Sequence, residues 1–350
     1  MSEKSDLDIA GNEAVRASRW GACCSAVRCG WMGVTLCVVL ATIAWVLGGY
    51  VPLVGGPVFA ILLGIVVGNS LSVPGLARPG VAFCSKKILQ VAIILLGGGM
   101  SLLQVYETGA RSLAVMLGTL TIALLTAWLL GKALRVDRTL TSLVGVGTGI
   151  CGGSAIAAVA PIIDADDDEI AFSISTVFLF NVVAVFIFPL LGHLMGMTAD
   201  GFGIWAGTAI NDTSSVVAAA YSYSQEAGDV ATITKLARTV MIIPIAFGFA
   251  VMVGRARGGA SFNVARVAPW FVLGFLGMAV LNTTGVLGSA APWFATAGKF
   301  AIAVALAGVG LGANLGKIIK TGPRPILLGL VVWIVVACAS LVIQSGVNQM

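Results

Sequence analysis

Two stretches of the chain carry one pattern of small and polar residues, GTGICGGSAIAAVA at 147–160 and GTAINDTSSVVAAA at 207–220. Each runs from an apolar half-span, through glycine or small polar residues, to a Ser or Thr suited to a helix start. In hydrocarbon an unpaired backbone group costs several kcal/mol, so irregular backbone survives there only when buried in protein or lining a cavity. The pattern therefore predicts two broken helices at mid-membrane, whose N–H groups and positive dipole ends would face a bound anion. The candidate substrate contacts are Gly149, Cys151, Gly152, Gly153 and Ser154 in the first stretch and Asn211, Thr213 and Ser214 in the second. Close helix packing through small residues is the competing reading.

Three charged residues join them. A charge at a helix centre costs roughly 2.5–3.5 kcal/mol on insertion scales, so it usually faces a cavity or a partner. Asp212 is the one acid placed well inside an apolar segment, and Lys235 and Arg238 share a helix face at spacing i, i+3. The cations suit an anionic substrate, and Asp212, or the hydroxyls beside it, suits a coupling H⁺ or Na⁺. Snorkelling at an outer helix end is the bland reading of Lys235 and Arg238. Pairing with one of them is the bland reading of Asp212.

The elements that must hold these residues follow from composition. Of 350 residues, 58% belong to the set AVILMFWYC and only 10% are charged. A soluble domain is about a quarter charged, which excludes a soluble enzyme, and disorder would need the opposite balance. The apolar residues form blocks of about 15 to 23, the length that spans a ~30 Å bilayer core. The expected fold is an all-α polytopic membrane protein with segments near 31–49, 56–70, 84–101, 112–131, 140–163, 170–191, 203–221, 231–253, 269–287, 297–315 and 325–345. Residues 1–30 form a polar tail without a signal-peptide pattern. Residues 31–345 form one transmembrane domain with repeat-like halves at about 56–163 and 203–345.

Basic residues orient the chain. Counting eleven crossings from a cytoplasmic N-terminus places 16 of the 20 cations on the inner side, with Arg111 outside. This predicts a multi-pass protein of the cell membrane, N-terminus in and C-terminus out. The same count puts the acidic run Asp164, Asp166, Asp167, Asp168 and Glu169 outside, and His193 inside.

The chain also resembles itself. PVFAILLGIVVGNS at 57–70 lies over WFVLGFLGMAVLNT at 270–283, matching Gly64 with Gly277 and Asn69 with Asn282. The register continues without a gap through Lys86 and Lys299, Gly97 and Gly310, and Arg111 and Arg324. Matched segments are an odd number of crossings apart, so the copies face opposite ways, as in the inverted repeats of secondary transporters. The two small-residue stretches form a second match, at an offset of 60 residues.

GTGICGGSAIAAVAPII, together with ILLGGGMSL, DDDEIAFSI, FGIWAGTAINDTSSVVAAA, KLAR and PWFVLGFL, resembles the YeiH-like family of membrane proteins over about residues 50–345. The resemblance implies a fold like that of sodium/proton antiporters and bile-acid symporters, with inverted repeats and crossed discontinuous helices. It implies export of sulfate or a similar anion.

The function expected is secondary transport of a small inorganic or organic anion, coupled to H⁺ or Na⁺, with the outward direction implied by the resemblance alone. No cofactor, metal, nucleic acid or ATP motor is expected: the chain has one His, no CxxC pair and no GxxxxGK[ST] loop. Its partners are the anion and the bilayer, and a homo-oligomer stays open. A passive channel or membrane scaffold is the alternative. An intramembrane hydrolase built on Ser154 and His193, or on Asp212, is disfavoured by reach and by the lack of a second embedded acid.

Overall fold

The computed structural model describes residues 30–50, 55–70, 74–257, 268–313 and 323–347. Expectations for the tail before residue 30, and for Arg266, Lys317 and Lys320, lie outside the described residues. All eleven expected segments are helical. The helices are α1 (Gly30–Tyr50), α2 (Gly55–Ser70), α3 (Arg78–Gly97) and α4 (Leu102–Leu134). Then come α5 (Arg138–Gly149), α6 (Gly153–Val159), α7 (Asp167–Leu194), α8 (Ala199–Ala209) and α9 (Thr213–Tyr223). The chain ends with α10 (Gln225–Val240), α11 (Ile242–Arg257), α12 (Trp270–Thr283), α13 (Ala291–Gly312) and α14 (Pro323–Gly346). Among the described residues, seven stretches are long and apolar enough to cross a membrane, and α2 and α12 are shorter apolar helices. The chain is a polytopic helical membrane protein.

Two of the eleven segments do not cross. A continuous helix over 199–223 would be about 37 Å long at 1.5 Å per residue. Instead the Tyr223 hydroxyl donates to the Met197 carbonyl at 2.5 Å, and the Tyr223 ring stacks on Phe202 at 3.9 Å and on His193 at 4.3 Å. The segment therefore turns at 210–212 and returns to the face it left. The same holds for 138–166. The Glu169 carboxyl, in the first turn of α7, interacts with Asp137, the cap of α5. Phe172 packs in one cluster with Leu134, Val136 and Leu140. Hairpin 1 (α5, α6) and hairpin 2 (α8, α9) enter from opposite faces, because α7 alone crosses between them.

This corrects the sidedness of two loops. The acidic run at 164–169 shares a face with Arg135 and Arg138 instead of lying opposite them. His193 and Asp200 share a face with Arg111, which pairs with Asp200 at 3.9 Å. The corrections cancel over the rest of the chain, since a hairpin replaces each of two crossings. The sorting of basic residues survives for that reason.

Capping residues fix where each arm begins. Asp137 accepts from Thr139 N–H at 2.8 Å, Thr198 from Gly201 N–H at 3.0 Å, and Ser224 from Ala227 N–H at 3.0 Å. Asp166 and Glu169 form a reciprocal capping box at the start of α7.

The internal repeat is visible in hydrogen bonds. Asn69 Nδ2 in α2 donates to Ala313 O beside α13 at 2.9 Å, and Asn282 Nδ2 in α12 donates to Met100 O beside α3 at 3.1 Å. Adding 213 to the first donor gives the second, and subtracting 213 from the first acceptor gives the second acceptor. Such reciprocal exchange is what a two-fold relation produces. Apolar clusters obey it as well. Leu130, Val144 and Leu328 cluster on one side, and their counterparts Ile343, Ile204 and Val115 on the other. Here α4 and α14 exchange by 213 and the hairpins by 60, so one operation contains both offsets. The first copy reads α2, α3, α4, hairpin 1, α7. The second begins with its hairpin and reads hairpin 2, α10–α11, α12, α13, α14. The second copy is circularly permuted, which extends the halves to 55–194 and 199–346.

The helices divide into two bundles. α1, α2, α3, α12 and α13 pack around one core. Glycine lets their backbones close: a Cβ on Gly64 would stand 2.5 Å from Ala307 O, and one on Gly310 2.4 Å from Ile61 O. The hairpins, α7 and α10 form the second bundle, flanked by α4 and α14.

Candidate functional site

The hairpin tips meet at the centre of the second bundle. α5 and α8 are 12 and 11 residues long, or about 18 and 16 Å, which carries each tip to about half the depth of a ~30 Å bilayer core. The breaks are built differently. In hairpin 1, Ile150 ends the helix and Gly152 sits at φ 69°, a conformation that favours glycine. In hairpin 2, Ile210 and Asp212 are extended, and Asp212 Oδ2 caps α9 by accepting from Ser214 N–H at 2.9 Å and from the Ser214 hydroxyl. The tips are in contact distance: a Cβ on Gly152 would lie 3.7 Å from Asp212 Cα.

Breaking a helix orphans its last carbonyls. Here α10 supplies the donors. Lys235 Nζ donates to Ile150 O and to Ile210 O, both at 2.8 Å. Arg238 donates to Thr148 O at 3.2 Å and to Thr208 O. Ile150 and Ile210 are counterparts at the offset of 60, and so are Thr148 and Thr208. One Lys and one Arg on a single helix face thus tie the two tips together at equivalent points. Both cations are fully buried. The i, i+3 spacing on α10 matches the two-residue spacing of the carbonyls.

Asn181, on α7, completes the crossing. Its Oδ1 accepts from Asn211 N–H at 3.0 Å and Asp212 N–H at 3.1 Å. The sequence reading omitted it, although a lone Asn in an apolar helix is a signal in itself. Asn211 is buried with both amide side-chain atoms unpartnered, and Arg238 Nε is unpartnered too. Buried polar atoms without partners are costly, so these groups favour an occupant.

The predicted residues therefore fall in three settings. Gly149, Cys151 and Gly152 are buried at the first tip, while Gly153 is half-buried with open space where a Cβ would stand, and Ser154 is exposed. Asn211, Thr213 and Ser214 are buried at the second tip, and Asp212 is half-buried. Lys235 and Arg238 face the tips' carbonyls and do not form a direct ion pair with Asp212; the only one among the described residues is Arg111–Asp200. Asp212 still lies close enough to act on the Lys235 charge. Ser154 and His193 do not meet, since His193 stacks on Tyr223 at the base of hairpin 2.

The two-fold relation is broken in one respect. Val217 and Ala218 of α9 are buried in a cluster with Val58 and Ile61 of α2. Their counterparts on α6 are Ala157, which is exposed, and Ala158, which is half-buried. Likewise Ser214 is 1% exposed, and its counterpart Ser154 is open. The first bundle covers the α9 arm of hairpin 2 and leaves the equivalent α6 arm of hairpin 1 uncovered by protein; the hairpin-2 side is called the sealed face and the hairpin-1 side the open face. A cavity of 340 Å³ remains between the bundles on the sealed face, lined by Trp45, Pro57, Tyr221, Gln225, Lys299 and Ile302.

The family described as Conserved hypothetical protein 698 matches residues 32–329. Among similar proteins, a UPF0324 membrane protein of Streptococcus agalactiae is 44% identical over 323 residues, covering 89% of this chain and 96% of that protein. One of Fusobacterium nucleatum is 39% identical over 335 residues, covering 89% and 97%. One of Streptococcus mutans is 43% identical over 327 residues, covering 89% and 96%. The family match contains both hairpins, α10 and the first turns of α14, and the resemblance to the YeiH-like family stands. The chain belongs to the Conserved hypothetical protein 698 family, that of the UPF0324 membrane proteins.

Proposed function

We propose that the protein is a secondary transporter of a small anion, working by alternating access. The observation that carries this reading is the charge balance at the crossing. Two fully buried cations, Lys235 and Arg238, are met by backbone carbonyls, and among the described residues Asp212 is the carboxylate at the same crossing. The formal sum is one positive charge at mid-membrane, in a setting where uncompensated charge is costly. A bound anion would neutralise it. The unpartnered Asn211 amide and Arg238 Nε, with the open space beside Gly153 and Ser154, are the groups to receive it.

The architecture supports movement across the bilayer. Inverted repeats let one chain adopt two states related by a two-fold axis in the membrane plane, in which rocking of one bundle exposes a fixed central site to alternate faces. The sealed contact of α9 with α2 and the open counterpart at α6 fit one of those states. In the orientation given by the basic residues, the open face is cytoplasmic, as loading for export requires. Asp212 is placed to carry a coupling H⁺ or Na⁺, because neutralising it changes the charge balance at the site.

The test is a thermal-shift screen of the purified protein against sulfate, sulfonates, carboxylates and chloride, with and without Na⁺, followed by flux in proteoliposomes. A substrate present at 100 times its Kd stabilises by about 2.7 kcal/mol, a readily measured shift in Tm. If neutral or cationic solutes stabilise and no anion does, the proposal fails.

A further inference from the structure

The sealed face carries a charge arrangement that recurs, unclosed, on the open face. Asp229, in the early turns of α10, accepts from the Tyr221 hydroxyl at 2.6 Å and from Gln225 Nε2 at 3.2 Å. Lys299 of the first bundle lines the same cavity as Tyr221 and Gln225, the two residues that hold Asp229. Acid and lysine thus stand on opposite bundles, where the two approach. Glu226 is the other acid beside Asp229.

The two-fold relation converts this pair into another. Subtracting 60 from Asp229 gives Glu169, and subtracting 213 from Lys299 gives Lys86. Both are again an acid and a lysine. Glu169 opens α7 at the base of hairpin 1, and Lys86 lies eight residues into α3, just as Lys299 lies eight residues into α13. On this open face Lys86 is exposed, and Glu169 is tied to the caps of its own hairpin, accepting from the Asp166 N–H at 3.0 Å. Neither pair forms a direct ion pair among the described residues; what differs is that Lys299 is half-buried beside the residues that hold Asp229, whereas Lys86 is exposed.

We infer that Asp229–Lys299 and Glu169–Lys86 are two symmetry-related latches, each drawing the bundles together when its own face is sealed. Only one can engage at a time, because sealing one face opens the other. The present state has the Asp229–Lys299 latch drawn in and the Glu169–Lys86 latch released. Residues 86, 169, 229 and 299 are positioning residues: they set which face is open and do not touch the central site. This rests on the alternating-access reading, but not on the anion.

The test reads accessibility in the absence of any substrate. In a chain whose seven native cysteines are replaced, Ala157→Cys reports the hairpin-1 face and Val217→Cys the hairpin-2 face, each labelled by a membrane-impermeant thiol reagent. Asp229→Asn or Lys299→Gln should raise the ratio of Val217→Cys to Ala157→Cys labelling by roughly three- to tenfold. Glu169→Gln should lower the same ratio, since it weakens the opposite state. A structural role would not give responses of opposite sign to the same acid-to-amide change. Should a single variant fail to fold, the exchanged pair Asp229→Lys with Lys299→Asp keeps the attraction and should restore the wild-type ratio. Ratios unchanged in Asp229→Asn and Lys299→Gln, or moving the same way in Asp229→Asn and Glu169→Gln, overturn the latches. If the ratios shift as stated while no anion stabilises or crosses, the latches stand and the anion reading falls.

Discussion

Lys235 and Asp212 look alike in the sequence as charges inside apolar segments, yet the geometry gives them different work. Lys235 holds Ile150 O and Ile210 O together at 2.8 Å each, so Lys235→Met would orphan two buried acceptors at about 1–3 kcal/mol apiece. The expected outcome is a large fall in Tm in detergent and poor expression, with any anion binding lost as a consequence. Asp212 combines a capping oxygen with a charge. Asn caps a helix about as well as Asp does, whereas Ala forfeits about 1 kcal/mol. Asp212→Asn should therefore fold with a Tm near wild type, bind the anion at least as tightly because the site gains positive charge, and lose H⁺- or Na⁺-driven accumulation. Wild-type coupled flux in that variant would remove Asp212 from the mechanism. Asp212 stands where hairpin 1 has Gly152, and its carboxylate has a backbone duty: hairpin 1 turns on a left-handed glycine and hairpin 2 on a side-chain cap, two solutions to one geometric problem.

Helices were legible in the sequence because apolar length and glycine punctuation report them directly. Both breaks were legible too, since Gly-Gly-Ser and Asn-Asp-Thr cannot continue a lipid-facing helix. Whether a broken segment crosses or returns was not. Hydropathy is identical for the two cases, and the deciding contacts, such as Tyr223 on Met197 and Glu169 beside Asp137, are tertiary. Nor could spacing alone reveal that the cations on α10 meet carbonyls, as these belong to four residues of no distinctive type. The repeat match equates Gly64 with Gly277, but packing separates them. A Cβ at Gly64 meets Ala307 O at 2.5 Å, and one at Gly277 meets nothing within 4 Å. Gly64→Ala should cost about 1–3 kcal/mol by overpacking, and Gly277→Ala should leave Tm unchanged within error. Equal effects at the two sites would mean that the α2–α13 contact is not as close as described.

At the scale of the whole molecule, two hairpins inserted from opposite faces make a short barrier out of little material. Each arm of α5 and α8 reaches only about half the membrane, so the central site is separated from either face by one hairpin and the surface against which it packs. On the proposed alternating-access reading a modest rotation between bundles would expose it, whereas crossing helices would need to slide past each other along their full length. The α9–α2 contact is made by Val217, Ala218, Val58 and Ile61, small to medium side chains with no hydrogen bond to break, as a reversible seal requires. This economy depends on the hairpins returning to the face they left, which a sidedness measurement can decide. Asp164→Cys and Arg135→Cys should react with an impermeant thiol reagent from one face of a sealed vesicle, and His193→Cys from the other. Eleven full crossings would instead place 135 and 164 on opposite faces, and 193 on the side of 135. Labelling in that second pattern would refute the hairpins, and with them the short barrier on which alternating access here rests.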